Sequence, residues 1–393
     1  MPLRPRYRHA FIAIVALSAG AASAACGSDR AASSAKAMLV STARCGDDWK
    51  SGPGGVTSFT MTNNENTALS VYLRATGSGK VYFEVEGFGA NATVTEQATL
   101  ADGNYQLVCS GLETGPVPGT TVRVTNGASL ASAEPGIVPV TSNDLLPISI
   151  AYKNWVTAQL PTLREQISTL ADAVKQGPTP AAKADWLTAH LTYETLGAAY
   201  DAFGDLDAGI DSPPALGVDP VTAEDLTGFH KIEALLWSGA PAAKLTPAVA
   251  DLASCVDNLV RQFPDAEIDP NDIALRAHEI IENAVEFELN GTTDAGSHTN
   301  LATVGANIVG SQKALSFLLP LLQSRYPDLA KTQDALSNAA RVVAAFDHNG
   351  SWTPLDSLTR AQREAVNAAL DNAVELLASV AAICDERLPG AQS

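Results

Sequence analysis

The feature that most constrains the fold of this chain is a change in hydrophobic periodicity near residue 143. Before it, short β-rich runs alternate with clusters of Gly, Asn, Asp and Pro, such as Gly52-Pro53-Gly54-Gly55. Six or seven short runs at this spacing predict an all-β sandwich. Beyond residue 143, apolar residues recur at helical spacing, with Gly and Pro between the helical stretches. This half is predicted to be an antiparallel helix bundle.

Two domains are therefore expected, since 393 residues exceed what one hydrophobic core usually serves. The predicted strands are 37–42, 56–62, 69–75, 81–86, 92–99, 105–109 and 121–125. The predicted helices are 148–175, with a bend at Pro161, and 181–203, 224–237, 247–262, 270–289, 300–324, 329–346 and 357–388. The boundaries that follow are an export signal at 1–25, a tether at 26–37, a β domain at 38–126, a linker at 127–143 and a helical domain at 144–390.

The N-terminal segment has the layout of an export signal. Arg4, Arg6 and Arg8 precede an apolar run at 11–17, which is too short to span a bilayer, and small residues follow. The signal has two possible cleavage sites. Cleavage at Ala22-Ser23-Ala24 would give a freely secreted protein, and cleavage before Cys26 would give a lipoprotein. No later segment is expected to be long and apolar enough to span a membrane. The protein is therefore expected to lie outside the cytoplasm, in the periplasm or at the cell surface.

The cysteine count favours the lipoprotein alternative. Of five cysteines, two lie in each predicted domain, so Cys26 is left over in an oxidising compartment and is expected to carry the lipid. Cys45 and Cys109 are expected to form a disulfide, with a soft-metal site at these sulfurs as the alternative. Cys255 and Cys384 are expected to link two helices by a second disulfide. The lipid tether is then the only expected contact with the membrane.

The chain is strongly acidic. Its formal charge is −18, and removal of the three N-terminal arginines with the signal leaves −21. Such a surface repels nucleic acid and anionic lipid and attracts cations. Secreted proteins are often acidic for solubility, so charge alone assigns no function. A nucleic-acid partner is not expected.

A blue-copper site is excluded in the β domain. The stretch 103–109, which ends at Cys109, resembles the cupredoxin strand that leads into a copper-binding cysteine. Such a site needs two histidines beside the cysteine, and residues 38–125 contain none. The β domain is therefore expected to be cupredoxin-like in fold but without that copper centre.

The strongest chemical constellation lies at 228–233, which reads G-F-H-K-I-E. His230 and Glu233 are three residues apart, so they share a helix face and can hold one ion. Upstream acids add further carboxylates, namely Glu194, Asp207 and Asp211. One imidazole with several carboxylates suits iron, manganese or zinc, and helix bundles commonly build such sites from facing helices.

The G-x-H-x-x-E run at 228–233 resembles the signature of the imelysin family. More of the chain is similar to the EfeO branch of that family, the extracytoplasmic component of EfeUOB-type ferrous iron uptake systems. The stretches that carry this resemblance are Tyr193-Glu194, Phe203 with Asp205-Leu206-Asp207 and Ile210-Asp211, Gly291 with Asp294 and Ser297-His298-Thr299, and Gly310-Ser311-Gln312-Lys313. The resemblance extends from about Met38 to about Leu377 and implies a cupredoxin-like all-β domain followed by an imelysin-like all-α domain.

The resemblance also implies a metal site, formed by Glu194, Asp211, His230 and Glu233. Many relatives carry a second Glu one turn after the first, where this chain has Gly197, and Asp201 one turn further on is the candidate to replace it. Secondary metal candidates are Asp207, His298, Cys45 and Cys109. His190, one turn before Glu194, is interpreted as a satisfied helix histidine, with a metal role as the alternative.

The function implied by the resemblance is capture of Fe²⁺ or Fe³⁺ outside the membrane and delivery to an iron permease, beside a haem peroxidase of the same system. Zinc or manganese is expected to bind in vitro as well. The alternative is a metallopeptidase, the class in which imelysins have been placed. A zinc peptidase usually takes two histidines and its general base from H-E-x-x-H, which occurs nowhere in this chain, so a binding protein is favoured over an enzyme. A structural envelope protein would leave the acids around His230 unexplained.

Overall fold

The computed structural model describes residues 37–111, 114–127 and 138–386. The predicted export signal and the tether up to residue 36, with Cys26, lie outside the described residues. So do residues 128–137 of the predicted linker and the last residues of the predicted final helix. Within the described part, a β region is followed by a helical region, as the change in periodicity predicts.

The β region contains two sheets. Its strands are β1 (Met38–Val40), β2 (Gly52–Pro53), β3 (Gly55–Asn63), β4 (Leu69–Ala75), β5 (Val81–Phe88), β6 (Thr93–Leu100), β7 (Gly103–Gly111), β8 (Val117–Pro118) and β9 (Val122–Thr125). One sheet has the order β1-β3-β6, and the other has the order β2-β9-β7-β4-β5 with β8 beside β7. The β1–β3 and β2–β9 pairs are parallel, and the other pairs are antiparallel.

Side-chain alternation packs the two sheets together. Along β3, Phe59 and Met61 point into a core that they share with Leu73 of β4 and Leu107 of β7. Two sheets with one common core form the expected sandwich. Its cupredoxin-like character stays a prediction.

One predicted disulfide is present and the other is not. Cys45, in the loop after β1, is bonded to Cys109 of β7 across 64 residues. Because both sulfurs are in the bond, neither is a thiolate that binds a metal, and the soft-metal alternative at these residues is wrong.

Cys255 and Cys384 are both free thiols, so the predicted disulfide between them is wrong. The physical reason lies in the helix packing. The Cys255 sulfur faces Gly209, whose Cβ position is 3.0 Å away. Cys384 is buried at the end of the last helix, where burial raises the pKa of its thiol to about 12. Cys255 thus lies beside Gly209, whereas Cys384 lies near Arg325, so the two thiols have different neighbours.

The helical region has ten α-helices in its described residues. They are α1 (Ser142–Ala173), α2 (Pro180–Glu194), α3 (Tyr200–Phe203), α4 (Asp205–Asp211), α5 (Gly228–Trp237), α6 (Ala242–Gln262), α7 (Asp272–Asn283), α8 (Asn300–Leu322), α9 (Leu329–Ala344) and α10 (Arg360–Cys384). A π-helical segment, Ala284–Glu288, continues α7. Apolar side chains at helical spacing fill one continuous core of the bundle.

The largest errors in the predicted helices fall around one loop region. The helix predicted at 181–203 ends at Glu194 and resumes as a 3₁₀ turn and the short α3. Residues 205–211, expected to be a loop, form α4, because Gly204 adopts a φ of +58° and lets the chain turn and begin a new helix. The helix predicted from 224 begins only at Gly228, after a loop at 212–227.

Helix α10 corrects the expectation that no later segment is long and apolar enough to span a membrane. It meets that test, with a mean hydropathy of 1.4 over an 18-residue window. Its core face, with Val366, Leu370, Leu377 and Val380, packs in the bundle beside α7 and α9. Core helices satisfy the same criteria of length and composition, and 39% of the apolar window of α10 is buried in this fold.

Candidate metal centre

Helix α2 carries two side chains of the centre. His190 and Glu194 are one helical turn apart, so both point to the same side of α2, and both are buried. His190 Nε2 lies 3.1 Å from Glu194 Oε1. The His190 ring packs against Trp186 and Phe229, with ring centroids 5.0 and 5.1 Å away. These contacts give the imidazole a fixed orientation beside a carboxylate.

A glycine brings α4 and α5 into contact at the centre. Asp211 is the last residue of α4, and His230 lies in the first turn of α5. Gly228 has a φ of +65°, and a Cβ atom at this position would lie 1.9 Å from the carbonyl oxygen of Ile210. Only glycine permits this close approach of the two helix ends. As a result, His230 Nε2 lies 3.7 Å from Asp211 Oδ1.

Asp211 joins the two imidazoles. Its Oδ1 lies 3.3 Å from His190 Nε2 as well, and the ligand atoms of His190, Asp211 and His230 all lie within 4.8 Å of one another. Within the described residues, neither ring nitrogen of His190 nor Asp211 Oδ1 has a hydrogen bond, although all three atoms are buried. Buried polar atoms without hydrogen bonds are costly, and an ion bound between His190 Nε2 and Asp211 Oδ1 would account for two of the three. Two imidazoles and a carboxylate fit Fe²⁺ and similar borderline metals.

Glu233 is held from two sides. Its Oε2 lies 3.1 Å from His230 Nδ1, and its Oε1 accepts hydrogen bonds from the backbone N–H groups of Ala295 and Ser297 at 3.2 and 2.9 Å. The residue is 2% exposed. The loop before α8 therefore contacts Glu233 directly, and Glu233 lies between this loop and His230.

Helix α8 fixes the Glu194 carboxylate. The Asn307 side-chain N–H donates a 2.6 Å hydrogen bond to Glu194 Oε2. One turn later, Gly310 allows α8 to approach the end of α2, since a Cβ atom there would lie 2.9 Å from the carbonyl oxygen of Thr195. With one oxygen held by Asn307, Glu194 keeps Oε1 toward His190.

Glu288 adds a carboxylate that sequence analysis missed. It ends the π-helical segment after α7 and is buried, and the Asn300 side-chain N–H donates to its Oε2 at 3.0 Å. Single π-helical turns often mark functional sites. Glu288 lines the same cavity as Glu194, Asp211 and His230. No sequence motif marks it, because it lies within an ordinary amphipathic helix pattern.

Burial and mutual charge shift the titration of this cluster. Burial raises the pKa of Asp211 to about 6, against the pull of the His190 charge. Burial also raises the pKa of Glu288 to about 7, and the Glu194 charge adds to that rise. Burial lowers the pKa of His190 and of His230, but the Asp211 carboxylate outweighs it, so both end above the ordinary value, His190 well above it. For Glu194, burial alone would raise the pKa, but the close contact with His190 outweighs it, and the pKa is lowered.

The four predicted ligands thus lie around one centre, and two further residues join them. The sequence favours a satisfied helix histidine at His190, yet its ring has no hydrogen bond in the described part of the chain and lies at the centre. Its spacing of four residues before Glu194 was the signal that pointed to a metal role. Glu288 is the other addition.

The secondary candidates lie outside the ligand cluster. Asp207 accepts a hydrogen bond from the Tyr193 hydroxyl. The His298 side chain is 60% exposed and pairs with Asp294. Asp201, expected to replace the missing carboxylate, forms an ion pair with Arg276 instead. At Gly197, the space that a longer side chain needs is occupied by Ile280, whose Cγ1 lies 2.9 Å from the Cβ position.

Comparison with known proteins finds similarity to the imelysin family and to iron uptake components. The model of the imelysin family, also designated peptidase M75, matches residues 148–380. The iron uptake system component EfeO of Escherichia coli K12 is 26% identical over 337 residues, which cover 82% of this chain and 89% of that protein. The EfeO of Shigella flexneri has the same values. A crystal structure of a candidate iron-regulated protein A precursor from Parabacteroides distasonis has a TM-score of 0.50 at 13% identity, covers 64% of this chain and 97% of its own, and shares the fold.

We predict that Gly228→Ala lowers the free energy of unfolding by about 2–5 kcal/mol. Alanine would be strained at this left-handed φ, and its Cβ would also clash with the Ile210 carbonyl oxygen, so the two costs add. Gly239→Ala is the matched control, since Gly239 has a φ of +77° with no atom within 4 Å of its Cβ position. That variant should lose only about 1–2 kcal/mol. Denaturant titration measures both losses. Equal losses would show that α4 and α5 do not need this close contact.

A second prediction concerns pH. The raised pKa values of His190 and His230 contribute stability that is complete below about pH 6.5 and is lost as pH rises through the folded values. The raised pKa values of Asp211 and Glu288 also contribute stability that is lost as pH rises, and this loss begins near pH 4. The metal-free protein should therefore become less stable from pH 6 to pH 9, by up to about 1.4 kcal/mol per pH unit for each titrating group.

Thermal and denaturant unfolding at several pH values measure how steeply the free energy of unfolding falls with pH, and this dependence is the slope that the variants test. His190→Gln should flatten it, and the exposed His348→Gln should leave it unchanged. A saturating ion should also flatten it, because the ion replaces the protons. The same slope in wild type and His190→Gln would contradict the assignment of His190 to the cluster.

Proposed function

Because this chain belongs to the imelysin family, we propose that it is the iron-binding component of an extracytoplasmic uptake system, which captures iron and delivers it to a membrane permease. The observation that carries the proposal is the convergence of possible ligand atoms from His190, Asp211 and His230, whose side chains are at most 11% exposed. The similarity to iron uptake components supports iron as the cargo.

The donor set favours iron among the available metals. Two imidazoles with one carboxylate are a known ligand set for Fe²⁺ in proteins. Glu194 adds a second carboxylate beside His190, and more oxygen donors also suit Fe³⁺. Zinc and manganese accept the same donors, so the selection of iron in the cell would depend on supply as well as on the site.

Capture and release both follow from charge. A net charge of −18 attracts cations to the protein, and the carboxylates of Glu194 and Asp211 give the centre its local negative charge. An ion must compete with protons at His190 and His230, since the pKa of each is raised above its ordinary value, that of His190 well above it. Affinity should therefore fall as pH falls, which gives the site a means of release.

The cellular setting is part of the proposal. The export signal predicted from the sequence supports a location outside the cytoplasm, and a lipid on Cys26 would keep the protein beside a permease. A haem peroxidase of the same system is the proposed second partner, which would control the oxidation state of the cargo. No membrane contact other than the lipid tether is proposed.

The peptidase designation of the family supplies the alternative function. A metallopeptidase needs a metal that a peptide can reach and a general base beside it. Here the ligand side chains are at most 11% exposed, and the cavity at the centre measures about 220 Å³. Binding sites for small ligands are usually 300–1,000 Å³. This cavity suits an ion with a few waters better than a peptide.

The proposal is tested by anaerobic Fe²⁺ titration of His190→Gln, Asp211→Asn and His230→Gln by calorimetry. Each loss of a ligand should weaken binding by more than the roughly 10–100-fold that outer-shell changes cost, with the fold intact by circular dichroism. His348→Gln is the control and should bind as wild type does. Metal-dependent cleavage of peptides that these variants abolish, with weak iron binding by the wild type, would favour the peptidase instead.

A further inference from the structure

We propose that Asp294 is a positioning residue of the metal centre, which acts through Glu233 to orient His230. This inference rests on the proposed function, because it takes from it that a metal binds at the centre. The contacts that support the inference are all within the chain. Asp294 itself touches none of the three central donors in the described structure.

The first step is the state of Glu233. When the Glu233 carboxylate is ionised, it only accepts hydrogen bonds, and His230 Nδ1 is then the donor in its contact with Glu233 Oε2. The other nitrogen, Nε2, then has the lone pair when the ring is neutral, and it is this atom that faces Asp211. Carboxylate, imidazole and metal arranged in this order fix both the tautomer and the orientation of a ligating histidine. Glu233 therefore orients His230, in place of the direct ligation that its motif predicts.

The second step is what holds Glu233. Successive backbone N–H groups of the turn 295–298 alternate between two carboxylates. Those of Ala295 and Ser297 donate to Glu233 Oε1, and those of Gly296 and His298 donate to Asp294 Oδ1 at 2.7 and 3.1 Å. Each carboxylate thus accepts hydrogen bonds from two alternate backbone N–H groups of the same turn. Asp294 shapes this turn, and the turn supplies both backbone donors of Glu233.

The third step is the strain that Asp294 maintains. His298 has a φ of +60°, a left-handed conformation that few residues other than glycine adopt. Asp294 stabilises it twice, through the His298 N–H and through a 2.7 Å contact between Oδ2 and His298 Nδ1. Without the Asp294 carboxylate, the turn is free to relax, and the N–H groups of Ala295 and Ser297 no longer stay aimed at Glu233.

The role is tested with three changes in the full-length protein. Asp294→Ala removes the acceptor and should weaken Fe²⁺ binding by about 10–100-fold, the usual cost of losing an outer-shell contact. Asp294→Asn keeps an oxygen for the two N–H groups and should restore most of that affinity. Asp347→Ala, which removes the acceptor of the Gly350 N–H in a different surface turn, is the matched control and should have no effect.

A double-mutant cycle separates positioning from general destabilisation. Glu233→Gln places an amide N–H donor opposite His230 Nδ1, which favours the wrong tautomer. If Asp294 acts through Glu233, then Asp294→Ala should cost little further affinity in the Glu233→Gln background. The same fold-loss in both backgrounds, or no loss in the wild-type background, would overturn the proposal.

Nitrogen NMR of ¹⁵N-histidine-labelled, metal-free protein at alkaline pH keeps this test independent of iron. The wild-type spectrum should show His230 with its proton on Nδ1, and Asp294→Ala should shift it toward a mixture of tautomers. If the wild type binds no iron but its tautomer responds to Asp294→Ala, the proposed function fails and the positioning role stands. An unchanged His230 tautomer in Asp294→Ala would refute the positioning role whatever the iron result.

Discussion

The burial of Asp211 between two imidazoles is the constraint on which the rest of the site depends. A carboxylate moved from water into a bundle interior costs several kcal/mol unless charge and hydrogen bonds compensate. Here burial raises its pKa to about 6, and its Oδ1 contacts His190 and His230 without a hydrogen bond in the described residues. A cation bound between these side chains would satisfy this arrangement, because it would supply the partner that His190 Nε2 and Asp211 Oδ1 lack.

Glycines and a loop keep that arrangement in place. Gly228 lets α5 touch α4, and Gly310 lets α8 touch the end of α2, so each glycine lies beside a residue of the centre. The loop before α8 then holds Glu233, and Glu233 holds His230. The core of the bundle provides the rigidity, since the ligands sit on helices packed by apolar faces rather than on free loops.

Much of this could be predicted from the sequence, and the failures have physical causes. The switch from strand to helix follows from local periodicity, and the residues Glu194, Asp211, His230 and Glu233 follow from spacing and a family resemblance. Glu288 was missed because no local pattern distinguishes a buried acid that lines the cavity from a surface acid on an amphipathic helix. The Cys255–Cys384 pair failed because cysteine counting gives no information on which helix faces meet. The role of Glu233 could not be found either, since its partners Ala295 and Ser297 contribute backbone atoms, which carry no sequence signal.

The number of imidazoles bound to the ion tests the central claim most directly. X-ray absorption spectroscopy of the Fe²⁺-loaded protein, compared with His190→Gln, counts them. Two imidazoles in the wild type and one in the variant are the result expected from His190 and His230 as donors to one ion. A single imidazole in the wild type, unchanged in His190→Gln, would contradict this account of the centre.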